Sequence, residues 1–159
     1  MISVKFEIRK AKKNDMEQVI HIDLEDLMHY HSKFDSKYYK LDKNAVKEVK
    51  KFFLKSLTSK KIQFFVAVSG DEVLGYSVAI IEKRHALFKI KEVGGLSAVV
   101  MKKKYQKKGI GTALIKETLS WLRKMKMIKL VVDVRNKYVM KLYEKMGFEG
   151  RHLLMVKYS

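Results

Sequence analysis

The chain has 159 residues, with 35 Lys plus Arg against 17 Asp plus Glu and a formal net charge of +18. This length fits one domain, residues 1–159, with no room for a second catalytic module, and the charge attracts nucleic acid, anionic lipid or a phosphorylated small molecule. The absence of cysteine excludes disulfides, thiolate metal sites and cysteine nucleophiles, and no apolar leader or run of ~20 apolar residues is present, so a cytoplasmic protein outside any membrane is expected.

In chain order, SVKFEIR alternates Val4, Phe6 and Ile8 with polar residues, which predicts a half-buried strand. Asn14 or Asp15 can cap a helix carrying Met16, Val19, Ile20, Leu24, Leu27 and Met28 at helical spacing. An aromatic and His-rich connection follows, HYHSKFDSKYYKL. Asp42 can cap a second helix that turns Val46, Val49, Phe52, Phe53 and Leu57 inward. IQFFVAV and VLGYSVAII flank the turn SGDE as an antiparallel hairpin, and VGGLSAVVM is a further strand. A helix from about Gly109 to Met125 leads to the strand IKLVVDV. KYVMKLYEKM then places Val139, Leu142, Tyr143 and Met146 on one helix face, with Gly147 as its stop, and FEGRHLLMVKY reads as a last strand. A long antiparallel run followed by one strand-helix-strand unit predicts an α/β fold with a mixed, mostly antiparallel central sheet flanked by helices.

Just before the third of these helices, and running into its start, the segment KKKYQKKGIG stands out, with five lysines in seven positions, 102 to 108, and Gly109 one residue from Gly111. Two close glycines let backbone approach a ligand, and the lysines point to an anion. A P-loop needs a Lys-Ser/Thr pair that Gly109 to Thr112 does not offer. A dinucleotide fingerprint fails at Leu114, where its third glycine belongs, although Asp133 lies at a suggestive distance. A pyrophosphate on the free N–H groups of a helix start remains.

QKKGIGTALI resembles the Q/R-x-x-G-x-G/A loop of the GNAT superfamily of N-acetyltransferases, and VVDVRNKYVMKLYEKMGFEG is similar to that superfamily's second signature of strand, Asn, helix, Tyr and Gly-Phe. The resemblance covers essentially the whole chain. It implies a GNAT-like sheet with a splayed parallel pair, here the strands around Val99 to Met101 and Val131 to Val134, and acetyl-CoA as co-substrate without a metal. Cofactor contacts would come from Val99, Val100, Met101, Gln106, Lys107, Lys108, Gly109, Ile110, Gly111, Thr112, Asn136 and Tyr143. Tyr143 matches the general acid of many members, and the Met101 N–H is the candidate oxyanion donor. Relatives commonly carry an acidic residue where this chain has Ala98, which leaves Glu92, His85 or a base acting through water. The acceptor, an amine on a small molecule or a protein, would meet His29, Phe34, Tyr38 and His85. The resemblance also admits a homodimer.

Other readings weaken on inspection of the residues. His21, Glu25 and His29 share a helix face without H-E-x-x-H spacing, so no metal is expected. GYSVA approaches the nucleophile-elbow pattern, but Ser77 lies inside a strand. The alternative of a different class is a small basic nucleic-acid-binding module, using Lys102 to Lys108, Arg123, Lys124, Lys126 and Lys129. No helix-turn-helix, RNP aromatics or zinc spacing accompanies these cations.

Overall fold

The apolar alternation of the central segments produces a hairpin of β2 (Ile62–Ser69) and β3 (Glu72–Lys83), with β1 (Glu7–Lys10) antiparallel to β2 and β4 (Glu92–Met101) antiparallel to β3. In this computed structural model, which describes residues 4–159, β5 (Ile128–Leu130) completes the order β1-β2-β3-β4-β5 and is parallel to β4. The expected mixed sheet, with its parallel pair at one side, is therefore present.

Helices cover both faces. On one lie α1 (Met16–Ile22) and α3 (Ala45–Ser56), where Met16, Val19, Ile22 and Phe53 pack on Phe64, Val66, Tyr76 and Val100. The Phe53 ring meets Phe64 edge-on at 4.9 Å, and Phe64 stacks on Tyr76 at 6.3 Å. On the other face α4 (Ile110–Trp121) sets Ile110 and Leu114 on Phe65, Ala67 and Leu74. The buried Ser77 hydroxyl is satisfied there by Thr118 at 2.7 Å, and Thr118 in turn donates to the Leu114 carbonyl, so neither buried hydroxyl is orphaned.

The first helix does not stop at Met28. It passes through a π turn (Asp23–Leu27) into α2 (Met28–Ser32), which takes in the start of the expected connection. Asp15 does not point forward as a simple cap: its carboxylate accepts the Lys12 N–H and is held by Arg9 at 2.7 and 2.9 Å. Within α3, Phe53 is buried but Val46 and Phe52 are 60% and 46% exposed, so the inward face is narrower than the spacing predicts.

The strand expected over IKLVVDV ends at Leu130. The Asp133 carboxylate accepts the Arg135 N–H at 2.9 Å and its carbonyl accepts the Asn136 N–H at 2.8 Å, a turn that draws the backbone away from the sheet. With so short an edge on offer, the expected final strand does not pair: residues 148–159 carry no regular structure, and Leu153, Leu154 and Met155 are exposed. The α5 helix (Lys137–Lys145) forms as predicted and ends before Gly147, whose φ is 88°. Among the described residues no helix is long and apolar enough to cross a membrane.

Candidate active site

The β4 strand outruns its parallel partner. Pairing with β5 covers Gly94 to Leu96 and ends there, while β4 continues to Met101 against β3 alone. The register shift opposite Val78 and Ala79 leaves Ser97 as the extra residue of a bulge, at the point where the two parallel strands part. The Lys102 N–H donates to the Leu74 carbonyl at 3.0 Å, so Lys102 faces β3. By the alternation of an antiparallel ladder, Val99 and Met101 then turn their N–H and C=O groups to the open edge. The Gln106 side chain donates to the Met101 carbonyl at 3.4 Å from that same side. Across β3, Gly75 makes the seat for Met101: a Cβ there would lie 2.5 Å from the Met101 sulfur and 2.6 Å from the Val100 oxygen.

Past Met101 a short 3-10 turn, Lys103–Tyr105, leads to the start of α4. Lys107 and Gly109 both take left-handed backbone, φ 59° and 80°, and Gly109 occupies the N-cap without a side chain to offer. The first N–H groups of α4, at Ile110, Gly111 and Thr112, are therefore uncapped by any side chain, and the helix dipole is positive at that end. Glu72 gathers Lys102 at 3.1 Å, Lys104 at 2.9 Å and the Tyr105 hydroxyl at 2.7 Å. Those donors hold the Glu72 carboxyl down at about 2, the Tyr105 hydrogen bond contributing most. Among the described residues Lys103, Lys107 and Lys108 meet no carboxylate; Lys108 lies 5.6 Å from the Tyr105 ring centre and Lys107 lies 5.9 Å from that of Tyr138 on α5. This end of the molecule offers free cations and free N–H groups together.

Tyr143 on α5 is half-buried and meets Phe148 edge-on at 5.8 Å. Burial holds its phenol above the ordinary range, so it keeps its proton at neutral pH. Asn136 is the N-cap of α5, its side chain accepting the Val139 N–H at 3.3 Å.

On the opposite face, beside Ser97 and Ala98, lies a cleft of about 380 Å³ bordered by Asp23, Glu48, Phe52 and Tyr76. The Tyr76 hydroxyl donates to Asp23 Oδ1. Burial raises the Asp23 carboxyl above its ordinary range despite this bond and the nearby His31. His31 is itself lowered, chiefly by burial, and among the described residues its buried Nδ1 has no partner. Asp23 and Tyr76 carry no sequence signal: one reads as a helix residue and the other as a strand residue.

The expected acceptor residues are dispersed. Phe34 sits 5.5 Å from both the Tyr30 ring and the Arg135 guanidinium, and Arg135 donates to the Phe34 carbonyl, tying the connection after α2 to the turn after β5. His29 is exposed on α2, and Tyr38 is exposed at the connection. Two further candidates stand apart from the open edge of β4. Glu92 opens β4, nine positions before Met101, or roughly 30 Å along the strand, and is bound to Lys61 at 2.8 Å, which lowers its pKa. His85 lies exposed in the loop before β4, its Nδ1 accepting the Leu87 N–H. Neither is brought to Ser97–Met101: Glu92 stands at the far end of β4, and His85 precedes the strand.

This arrangement is shared with known proteins. A transcriptional regulator from Bacillus halodurans C-125 superposes with a TM-score of 0.77 over 98% of this chain and all of its own, at 19% identity. Glucosamine-6-phosphate N-acetyltransferase from Arabidopsis thaliana gives a TM-score of 0.69 over 97% and 98% of the two chains, at 18% identity. At these identities the likeness is one of fold. In sequence, an N-alpha-acetyltransferase from Sulfurisphaera tokodaii is 27% identical over 97% of this chain and 86% of its own length. Residues 22–148 match the acetyltransferase (GNAT) family, spanning the parted strands, the lysine turn and α5, and the chain belongs to that family of enzymes.

Proposed function

We propose that the chain transfers the acetyl group of acetyl-CoA to a primary amine by direct attack within a ternary complex. The observation that carries this reading is the parting of β4 from β5 next to a helix start that Gly109 leaves uncapped and that Lys103, Lys107 and Lys108 surround. Those residues fit acetyl-CoA: the Val99 and Met101 N–H groups on an open strand edge suit an extended amide chain, and the uncapped amides of residues 110–112 suit a pyrophosphate.

Acetyl-CoA supplies an activated thioester; this chain's own residues orient it and move protons. The amides from Gln106 to Thr112, with Lys107 and Lys108, hold the phosphates. The Met101 N–H donates to the carbonyl oxygen as negative charge gathers on it, a contribution of about 3 kcal/mol for one such donor. Tyr143, protonated at neutral pH, donates to the departing sulfur. The name of the Sulfurisphaera relative favours the α-amino group of a peptide or protein as acceptor.

Calorimetric titration with acetyl-CoA at low and high salt tests the reading. Saturable one-to-one binding that survives high salt is expected, because salt strips generic polyanion binding faster than a shaped site. Heat that vanishes with salt would mean a basic surface only and would turn attention to nucleic acid.

A further inference from the structure

We propose that Asp23, held by Tyr76 at the floor of the cleft beside Ala98, takes the proton from the acceptor's ammonium group. The inference rests on the transferase reading above, and supplies the base that the strand itself lacks where Ala98 stands.

The π turn makes the placement. Two α-helical turns take about seven residues; a turn closed by i to i+5 bonds holds one more, so residues eight apart come round to the same side. Asp23 and His31 are eight apart across that turn, and they are electrostatically coupled. Both thus face the sheet, where Tyr76 rises from β3 to bind Asp23 Oδ1. Among the described residues Oδ2 accepts no hydrogen bond from the protein, and Asp23 borders the cleft. Ser97 and Ala98, the first residues past the last β5 partner, border it too, so the cleft adjoins the place where β4 presents its free edge.

Charge and shape then select the ligand. In a chain of net charge +18 the cleft is bordered by Asp23 and Glu48 and, among the described residues, by no Lys or Arg. His31, lowered by burial, stays neutral at pH 7 and leaves that negative charge uncancelled, and Asp133, which also acts on His31, is bound by Arg135. Val49, Phe52 and Phe53 make an apolar wall. The ligand that fits is a primary ammonium on an apolar stem. Burial raises Asp23 above its ordinary range, and an α-amino group, with a pKa of about 8 against about 10.4 for lysine, gives up its proton more readily to such a base. A peptide N-terminus with an apolar first residue is therefore the favoured class.

The ammonium gives one proton to Asp23 and becomes a neutral amine, whose lone pair forms the C–N bond. The C–S bond breaks and the sulfur receives the Tyr143 proton. A second proton leaves nitrogen as the amide forms and restores Tyr143. Asp23 releases its proton to water, so the net products are amide, thiol and one proton.

The test compares wild type with Asp23→Asn, which keeps an oxygen for Tyr76. Two peptides serve as acceptors, one with a free N-terminal methionine and no lysine, the other N-blocked with one lysine. For the free N-terminus we expect kcat/KM at pH 7 to fall about 100-fold, the deficit narrowing as pH rises and the free amine accumulates, with acetyl-CoA affinity by calorimetry unchanged within about two-fold. The blocked lysine peptide should be the poorer substrate of wild type. Thermal stability should not fall, because the variant removes a carboxylate that the fold disfavours in its charged form. Retained activity, or a loss of the same size at every pH, would overturn the proposal while leaving acetyl-CoA binding, and so the transferase reading, intact. Wild type that fails to bind acetyl-CoA would overturn both.

Discussion

Glu72 and Asp23 are two carboxylates on opposite sides of one sheet, and their surroundings drive them in opposite directions. Glu72, at the start of β3, is gripped by Tyr105, Lys104 and Lys102 and is held down at about 2. Asp23, in the π turn, is half-buried beside a tyrosine and is raised. A chain with so large an excess of lysine thus carries two surfaces of opposite sign. Around the start of α4 the carboxylate is spent on organising lysines, and the remaining cations face outward toward an anion. In the cleft the lysines are excluded, so even two carboxylates are enough to favour a cation.

The largest expected effect breaks the cationic end. Gly109→Asp puts a negative charge at the N-cap of α4, where the cofactor phosphates are proposed to sit, and should reduce acetyl-CoA affinity by at least about 100-fold in calorimetry. A Cβ at Gly109 meets nothing within 4 Å, so crowding does not prevent folding. Gly109→Ala shares the strain of φ 80° without the charge, and should lose far less affinity. Unchanged affinity in a folded Gly109→Asp protein would remove the loop from the cofactor site. Next in size is Tyr143→Phe, which should lower kcat by about 10- to 100-fold while acetyl-CoA affinity stays constant. Normal turnover would take Tyr143 out of the mechanism and leave its ring as packing against Phe148.

The two ends were unequally legible in the sequence. The cationic end is local: Gln106 to Thr112 are contiguous, and a helix start with a glycine cap is encoded within that one stretch. The hairpin, α4 and α5 are legible for the same reason, since periodicity is a local property. The cleft is assembled from Asp23, Glu48, Tyr76 and Ser97, which lie on four different elements, and no periodicity marks them. The π turn adds one residue to a helix whose apolar spacing looks regular, and so shifts Asp23 and His31 onto a common side that an α-helical reading separates. Glu92 and His85 lie at and before the start of β4, away from its open edge past Leu96, and only the full length of the strand shows that. The final strand failed for a different reason: Leu153 to Val156 have strand-forming side chains, but pairing also needs an edge, and the turn at Asp133 stops β5 after three residues.

The smallest effect sharpens the contrast between the two carboxylates through stability. Glu72 has a folded pKa of about 2, below its ordinary value, so the folded state binds fewer protons than the unfolded chain as pH falls from about 4.3. Its contribution is therefore fully present above that range and is lost as pH drops toward 2. The side chain is 37% exposed, and solvent screens its pairs with Lys102 and Lys104, so the expected loss for Glu72→Gln at pH 7 is only about 0.5–1 kcal/mol in urea unfolding. The difference from wild type should fall away as pH drops through about 2. Asp23 behaves with the opposite sign: its folded pKa is raised, so its charged form costs stability as pH rises through that value, and Asp23→Asn should gain stability at pH 7. If both variants shifted stability in the same direction, the two carboxylates would not be serving ligands of opposite charge. A loss for Glu72→Gln alongside a gain for Asp23→Asn would mark Glu72 as part of the scaffold and Asp23 as a group that the fold tolerates for the sake of its chemistry.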